Sequence, residues 1–323
     1  MLITLFVRAD YAALLRIAGL AGWNLLWLIP YRGLYFLLYA LGWLGLLRPY
    51  DPEQRARLGY VFWVTTVREA IDRLLPVATI GGGIVGVRLM RWRGVPVVSV
   101  SATVIVEILL TLVALYLFAV LGLLLLFGFS PAGPQYHRLL PAVLLSLPIP
   151  VVTALLLRYG SVFAVLERLL RPMVGVSAVS AAAVALDREL RACLCRGGSL
   201  FFAGSLQLVA LITSSFEIWF VLRLLGHPID FSAAVILESL TQAVRHLAFF
   251  VPAGLGVQEA SLVVLGHALG VSSELALAVS LAKRIRELLC GLPPLASWQF
   301  LEARRLRRRA TDDREGRRNS DAH

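Results

Sequence analysis

Two stretches of this chain, 104–129 and 199–221, are apolar over a length that spans a bilayer, which takes about 20 residues. In hydrocarbon every backbone N–H and C=O must find a partner within the chain, so only helices and closed barrels cross a membrane. The apolar runs here are continuous rather than alternating, which excludes a barrel. Composition agrees: 59% of the residues are hydrophobic and 16% charged, against about 45–50% and 25% in soluble domains. The fold class is therefore all-α, a polytopic helical membrane protein.

A loose internal repeat narrows this further. Arg68-Glu-Ala-Ile-Asp-Arg-Leu-Leu-Pro76 and a later Gly94-Val95 recur as Arg245-His-Leu-Ala-Phe-Phe-Val-Pro252 and Gly270-Val271. Pro76 and Pro252 stand 176 positions apart, as do Gly94 and Gly270. The same offset sets Glu107 opposite Lys283 and Gly83 opposite Glu259. Each copy interrupts an apolar run with Pro, Gly and charge. Paired broken segments in two halves of a membrane protein point to a transport site.

The chain divides into a single transmembrane domain over 1–302 and a basic, unstructured tail over 303–323. The apolar start, 1–7, reads as the back half of a membrane helix whose beginning lies upstream. A first span covers 19–47, and an interrupted segment covers 60–90, broken at Pro76 and at Gly81-Gly82-Gly83. Spans over 97–127 and 139–157 follow, joined by a turn at 129–138. The segment 158–198 alternates charge with Ala and Leu and reads as amphipathic helix on a membrane face. A span over 199–225, a second interrupted segment over 231–270 and a last span over 275–301 complete the chain. The first repeat is about 60–128 and the second about 231–301.

Loops 48–59, 88–96, 158–198 and 302–323 hold 3, 3, 6 and 8 basic residues, whereas turns 129–138 and 226–231 hold one and none. The basic set, with the C-terminus, belongs in the cytoplasm. This requires each interrupted segment to leave the membrane on the side it entered. Two facing re-entrant hairpins then form an inverted-topology repeat.

Ionisable residues inside such segments are functional candidates. The first hairpin carries Arg68, Glu69, Asp72 and Arg73, whose i, i+4 spacing suits internal pairing as well as a substrate role. In the second, Glu238, Gln242 and Arg245 fall on one helical stripe. Pro252-Ala-Gly254-Leu-Gly256 then breaks the helix, and Gln258 and Glu259 open the next one. The positive end of that helix suits an anionic headgroup, and capping is the plainer use of Glu259. Lys283, Arg284, Arg286 and Glu287 lie deep in the last span, and the repeat offset makes Glu107 the expected counter-charge of Lys283.

Other chemistries lack their motifs. The sequence has no P-loop, no HExxH and no GxSxG elbow, and Gly81–Gly83 follows no strand. Cys193, Cys195 and Cys290 lack the spacing of a zinc or redox pair, and the scattered histidines suggest no metal. No cofactor, metal or enzymatic activity is expected. The net charge of +11 reflects positive-inside bias and contact with anionic lipid rather than nucleic acid.

The segments Glu217-Ile-Trp219, Leu225-Gly-His-Pro228, Leu237-Glu-Ser-Leu-Thr-Gln-Ala-Val-Arg245, Phe249-Phe-Val-Pro-Ala-Gly-Leu-Gly-Val-Gln-Glu259 and Lys283-Arg-Ile-Arg-Glu-Leu288 resemble the hopanoid-biosynthesis-associated membrane proteins of the HpnL type. These sit within the flippase-like transmembrane family of lysylphosphatidylglycerol synthases. Leu74-Leu-Pro-Val-Ala78, Gly81-Gly82 and Val104-Ile-Val-Glu107 add to the likeness. Two places depart from it: Gly83 stands where the family pattern has an acid, and Asp72-Arg73 where it has an Asn pair.

The resemblance implies a bacterial inner-membrane protein that moves hopanoids or another polar-headed lipid across or out of that membrane. Membrane lipids are its expected partners, together with proteins of hopanoid biosynthesis or export. The site residues expected to bind substrate are Arg68, Glu107, Glu238, Gln242, Arg245, Gln258, Glu259, Lys283, Arg284, Arg286 and Glu287, with Pro76, Gly81, Gly82, Pro252, Gly254 and Gly256 shaping the breaks. Two other readings remain open here. One is a membrane enzyme or subunit of headgroup biosynthesis; the other is a scaffold that recruits soluble enzymes through 158–198 and the tail.

Overall fold

The computed structural model describes residues 22–75, 81–129, 177–248 and 256–320, with isolated positions at 152, 155, 156 and 159. The expected start at 1–21, most of the turn and span over 129–157, the segment 160–176, and Pro76, Pro252 and Gly254 lie outside them.

Among the described residues there are nine α-helices and no strand. A 3-10 turn, Gly22–Trp27, leads into α1 (Leu28–Leu47). A first hairpin pairs α2 (Leu58–Leu74) with α3 (Gly81–Arg91), and the long α4 (Val97–Phe129) follows. Then come α5 (Ser177–Leu194) and α6 (Gly197–Leu224). A second hairpin pairs α7 (Phe231–Leu247) with α8 (Val257–Ala268), and α9 (Ser273–Ser320) ends the chain.

Two of these helices, α4 and α6, are long and apolar enough to cross a membrane. Their outer faces stay uncovered: Leu117, Leu124, Phe201, Phe202 and Val209 are all exposed. Such side chains on the outside of otherwise well-packed helices call for an apolar solvent.

The repeat is visible in the backbone. Helices α3 and α8 begin at Gly81 and Val257, and α4 and α9 begin at Val97 and Ser273, each pair at the 176-residue offset. Gly94 and Gly270 turn the chain between them with φ of 79° and 78°, a left-handed conformation that suits glycine. The three consecutive glycines open α3 instead of breaking it. Gly82 and Gly86 have a packing reason: a Cβ on either would run into Asp72 or Arg68 of α2.

The two largest apolar cores lie one around each hairpin. Trp43, Leu47, Val61, Val64, Ile71, Leu89 and Val100 build the first. Ile218, Leu222, Ala234, Leu237, Leu262, Val271 and Val279 build the second. Among the described residues α1 and α9 enter both, and α4 also reaches each hairpin, with Val100 in the first core and Leu123 and Leu126 packed on Ile236 and Leu240 of α7. Leu28 of α1 enters the second core and Trp43 the first; Ala276–Ala282 of α9 pack in the second, while Leu295 and Trp298 pack against the first. The waist between the cores falls near Arg32 on α1 and near residues 283–287 on α9.

Two expectations change. Helix α5 buries Leu190, Cys193 and Leu194 against Leu46, Val106 and Ala203, so protein covers the apolar face of this part of the amphipathic segment. Helix α9 runs unbroken through Pro293 and Pro294 to Ser320, so the basic tail is helical rather than unstructured.

Candidate functional site: a charged waist between two hairpins

The waist is filled with paired charge. Arg32 of α1 donates to Glu69 of α2 at 2.9 Å, and its guanidinium stacks 3.7 Å from the Tyr35 ring. Glu69 also accepts from Arg73, one helical turn on, at 2.9 Å. Arg73 then reaches across to Glu287 of α9 at 3.4 Å. From the second hairpin, Arg245 approaches the same Glu287 oxygen at 3.6 Å and donates to Gln258 at 3.3 Å. Arg284 and Arg286 of α9 lie 3.1 and 4.0 Å from Glu287. One carboxylate thus holds four guanidiniums, one of them from each hairpin.

The network continues outward. Arg284 donates to Glu259 at 3.3 Å, and Arg286 to Glu217 of α6 at 2.6 Å. Two further pairs flank it. Lys283 donates to Glu238, whose other oxygen accepts from Gln242 at 2.9 Å and Ser214 at 3.2 Å. Arg68 lies over the Trp43 ring at 4.4 Å and pairs with Glu107 of α4 at 2.7 Å. Removing a charge from water costs several kcal/mol per ion, and a good pair offsets it only with well-placed hydrogen bonds. The shared acceptors do that in part: Glu69, Glu238, Glu259 and Glu287 each face two or more donors, while Glu107 and Glu217 each face one cation.

The two helix starts at the hairpin tips are capped by carboxylates in different ways. Glu259 accepts from the Gly256 N–H at 2.7 Å, and Gly256 has a φ of 80°. The other Glu259 oxygen accepts from Ser280 at 3.2 Å and from Arg284. In the first hairpin the repeat-equivalent position is Gly83, and Asp72 from α2 takes over, accepting from the Gly82 N–H at 2.8 Å. Capping of Glu259, the plainer use, is therefore present, and it leaves an oxygen that bridges to α9.

Most of the sequence-predicted residues come together. Glu238, Gln242, Arg245, Gln258, Glu259, Lys283, Arg284, Arg286 and Glu287 share this waist, and Arg68 and Glu107 flank it. Gly81, Gly82 and Gly256 sit at the helix starts. One expected contact is corrected: Glu107 and Lys283 do not pair. Each has a nearer partner on its own side of the waist, Arg68 for Glu107 and Glu238 for Lys283. The offset of the repeat relates their positions in the two halves and does not bring their side chains together.

Arg32, Glu69, Arg73 and Glu217 belong to the network as well. The first and last were missed as site residues, yet each is an isolated charge within an apolar span, and that was the available signal. Burial grades the cluster. Glu238, Glu217 and Lys283 keep 5% or less of their side chains exposed, whereas Arg73, Arg284 and Glu69 keep 17%, 20% and 27%. The accessible members are thus rich in guanidinium, whose planar fork matches phosphate, carboxylate and hydroxyl oxygens.

A family model described as the lysylphosphatidylglycerol synthase TM region matches residues 1–293, so the chain belongs to that family. No curated protein and no solved structure matches it.

Proposed function

We propose that this member of the lysylphosphatidylglycerol synthase transmembrane family is a lipid transporter of the flippase kind, taking the polar headgroup of a hopanoid or similar lipid into the charged waist. The observation that carries the reading is the network itself. Glu287 ties Arg73 of one hairpin to Arg245 of the other, between the two hairpin cores. A purely structural core gains little from buried charge, since apolar residues of the same volume are often as stabilising or more so. A headgroup that competes for these guanidiniums exchanges one set of charge-assisted hydrogen bonds for another, so it can enter without a large barrier. Its apolar body stays against the uncovered faces of the helices.

In this reading the chain sits in the bacterial inner membrane with the C-terminus in the cytoplasm, and both hairpins are re-entrant. The turn before α7 then faces outward, and labelling of Ile229→Cys from the cytoplasmic side would overturn that topology. A deletion strain tests the function. Unchanged total hopanoid with an altered split between inner and outer membranes is the expected result. A lost or chemically altered pool with a normal split would assign the protein to headgroup biosynthesis instead.

A further inference from the structure

The formal charge of the waist can be counted, and it sums to zero in each half of the chain. The first half contributes Arg32, Arg68 and Arg73 against Glu69, Asp72 and Glu107. The second contributes Arg245, Lys283, Arg284 and Arg286 against Glu217, Glu238, Glu259 and Glu287. Each of these cations lies within 3.6 Å of a carboxylate. An anion brought to this place adds a charge that nothing balances, and unbalanced charge away from water is strongly disfavoured. The places where a helix start would receive an anion are taken as well. Glu259 accepts from the Gly256 N–H at 2.7 Å and Asp72 from the Gly82 N–H at 2.8 Å, so the chain's own carboxylates hold both.

What the waist leaves open is hydrogen-bonding capacity rather than charge. Gln242 uses its Nε2 on Glu238, and Gln258 its Oε1 on Arg245. A carboxylate only accepts and a guanidinium only donates, so these partners fix which way each amide faces. The free ends are an acceptor, Gln242 Oε1, and a donor, Gln258 Nε2. Both atoms are buried and have no hydrogen-bond partner among the described residues, and Gln258 as a whole is 3% exposed. The hydroxyls of Thr65 and Thr241, one helical turn before Glu69 and Arg245, are buried in the same condition. Arg32 and Arg68 each keep an Nε without an acceptor, on guanidiniums whose charge is already met. A buried polar atom without a partner loses its hydration for nothing, so such atoms are few in folded proteins and point to a missing ligand or water.

We propose that the headgroup this waist takes is electrically neutral and hydroxyl-bearing, a polyol or a sugar, and that anionic phosphate headgroups are excluded. A hydroxyl donates and accepts at once. It donates to Gln242 Oε1 and accepts from Gln258 Nε2 or from an arginine Nε, and the charge balance of the waist is kept. An ionised phosphate brings acceptors alone, so it leaves Gln242 Oε1 unmet and adds charge to a site that has none to spare. The proposal deepens the reading of the waist as a headgroup site and rests on it.

The test uses two probes with one apolar body, a hopanoid tetrol and its terminal phosphate monoester. Full-length protein in phosphatidylcholine nanodiscs is titrated with each, and binding is read from the rise in melting temperature. The tetrol is expected to bind at least about tenfold more tightly than the ester, the worth of about one buried hydrogen bond. Equal binding of the two, tighter binding of the ester, or binding of neither overturns the proposal. Two variants check its basis. Gln258→Leu removes the free donor without changing charge and is expected to weaken the tetrol about tenfold. Asp72→Asn makes the waist positive by one charge and is expected to strengthen the ester several-fold relative to the tetrol. Wild-type selectivity retained through both variants would remove the amide and the charge balance as its cause and overturn the proposal. Transbilayer movement of the probes in phosphatidylcholine vesicles is scored separately. Movement of neither, with the tetrol bound selectively, refutes transport and leaves the headgroup choice standing. Movement of both at one rate overturns the headgroup choice and leaves transport standing.

Discussion

The two hairpins solve one problem with different residues. Each starts a helix at its tip, and each start exposes backbone N–H groups that need an acceptor. In the second hairpin the acceptor is Glu259, from within the helix it caps, and its spare oxygen reaches Arg284 of α9. In the first it is Asp72, from the opposite helix, and both its neighbours at close range, Gly82 and Arg68, belong to the same hairpin. The cap of the second hairpin thus also ties it to α9, whereas the cap of the first does not; the first hairpin meets α9 elsewhere, through Arg73 with Glu287, Trp63 with Ser297 and Arg88 with Glu302. The lesson is that a lost acid at Gly83 does not mean a lost cap. It means a cap closed within its own hairpin, against one that reaches the last helix.

That contrast can be broken at its shared point. Glu287→Gln leaves Arg73, Arg245, Arg284 and Arg286 facing one another without their common acid. Breaking buried pairs of this kind costs about 3–5 kcal/mol, so a large fall in thermal stability in detergent is expected along with loss of transport. A variant that melts like the wild type would remove Glu287 as the link between hairpins.

A smaller effect separates the hairpins. Glu259→Gln keeps an acceptor for the Gly256 N–H and loses the charge toward Arg284, so a cost of about 1 kcal/mol with folded protein and abolished transport is expected. Asp72→Asn costs a similar amount and leaves transport largely intact, because Asp72 does not reach α9. Equal loss of transport in both variants would erase the distinction. The double change Glu107→Lys with Lys283→Glu is expected to rescue neither single change, because the two residues pair elsewhere; rescue would restore the contact that the repeat suggests. At the bottom of the scale, Glu302→Gln removes the pair with Arg88, which is mostly exposed at its arginine, and is expected to change stability by under about 1 kcal/mol in the same melts.

The elements were largely legible because their signals are local. The starts of α4 and α7, the break between α7 and α8 and the glycines at 94 and 270 all follow from apolar runs, Pro and Gly. The repeat offset carried over to helix starts because two similar hairpins need similar lengths. Partners within the waist were not legible. Pairing between α1, α2, α6, α7 and α9 depends on which side chains reach across a helix interface, and residue spacing along the chain does not encode that. Glu69 with Arg73 was the exception, since i, i+4 neighbours meet on one helix. Pro293 and Pro294 stay within α9, where Leu295 and Trp298 pack on the first core.

The claim that a headgroup meets the waist is tested most directly at Arg245. Its contacts with Glu287 and Gln258 are among the longest in the network, so its loss should leave the fold intact. The measurement is the rate of transbilayer movement of a polyol-headed hopanoid in vesicles bearing the wild-type chain or Arg245→Gln. The account predicts rapid movement with the wild type and a rate at the level of empty vesicles with the variant, both proteins melting alike. Undiminished movement through Arg245→Gln would contradict it.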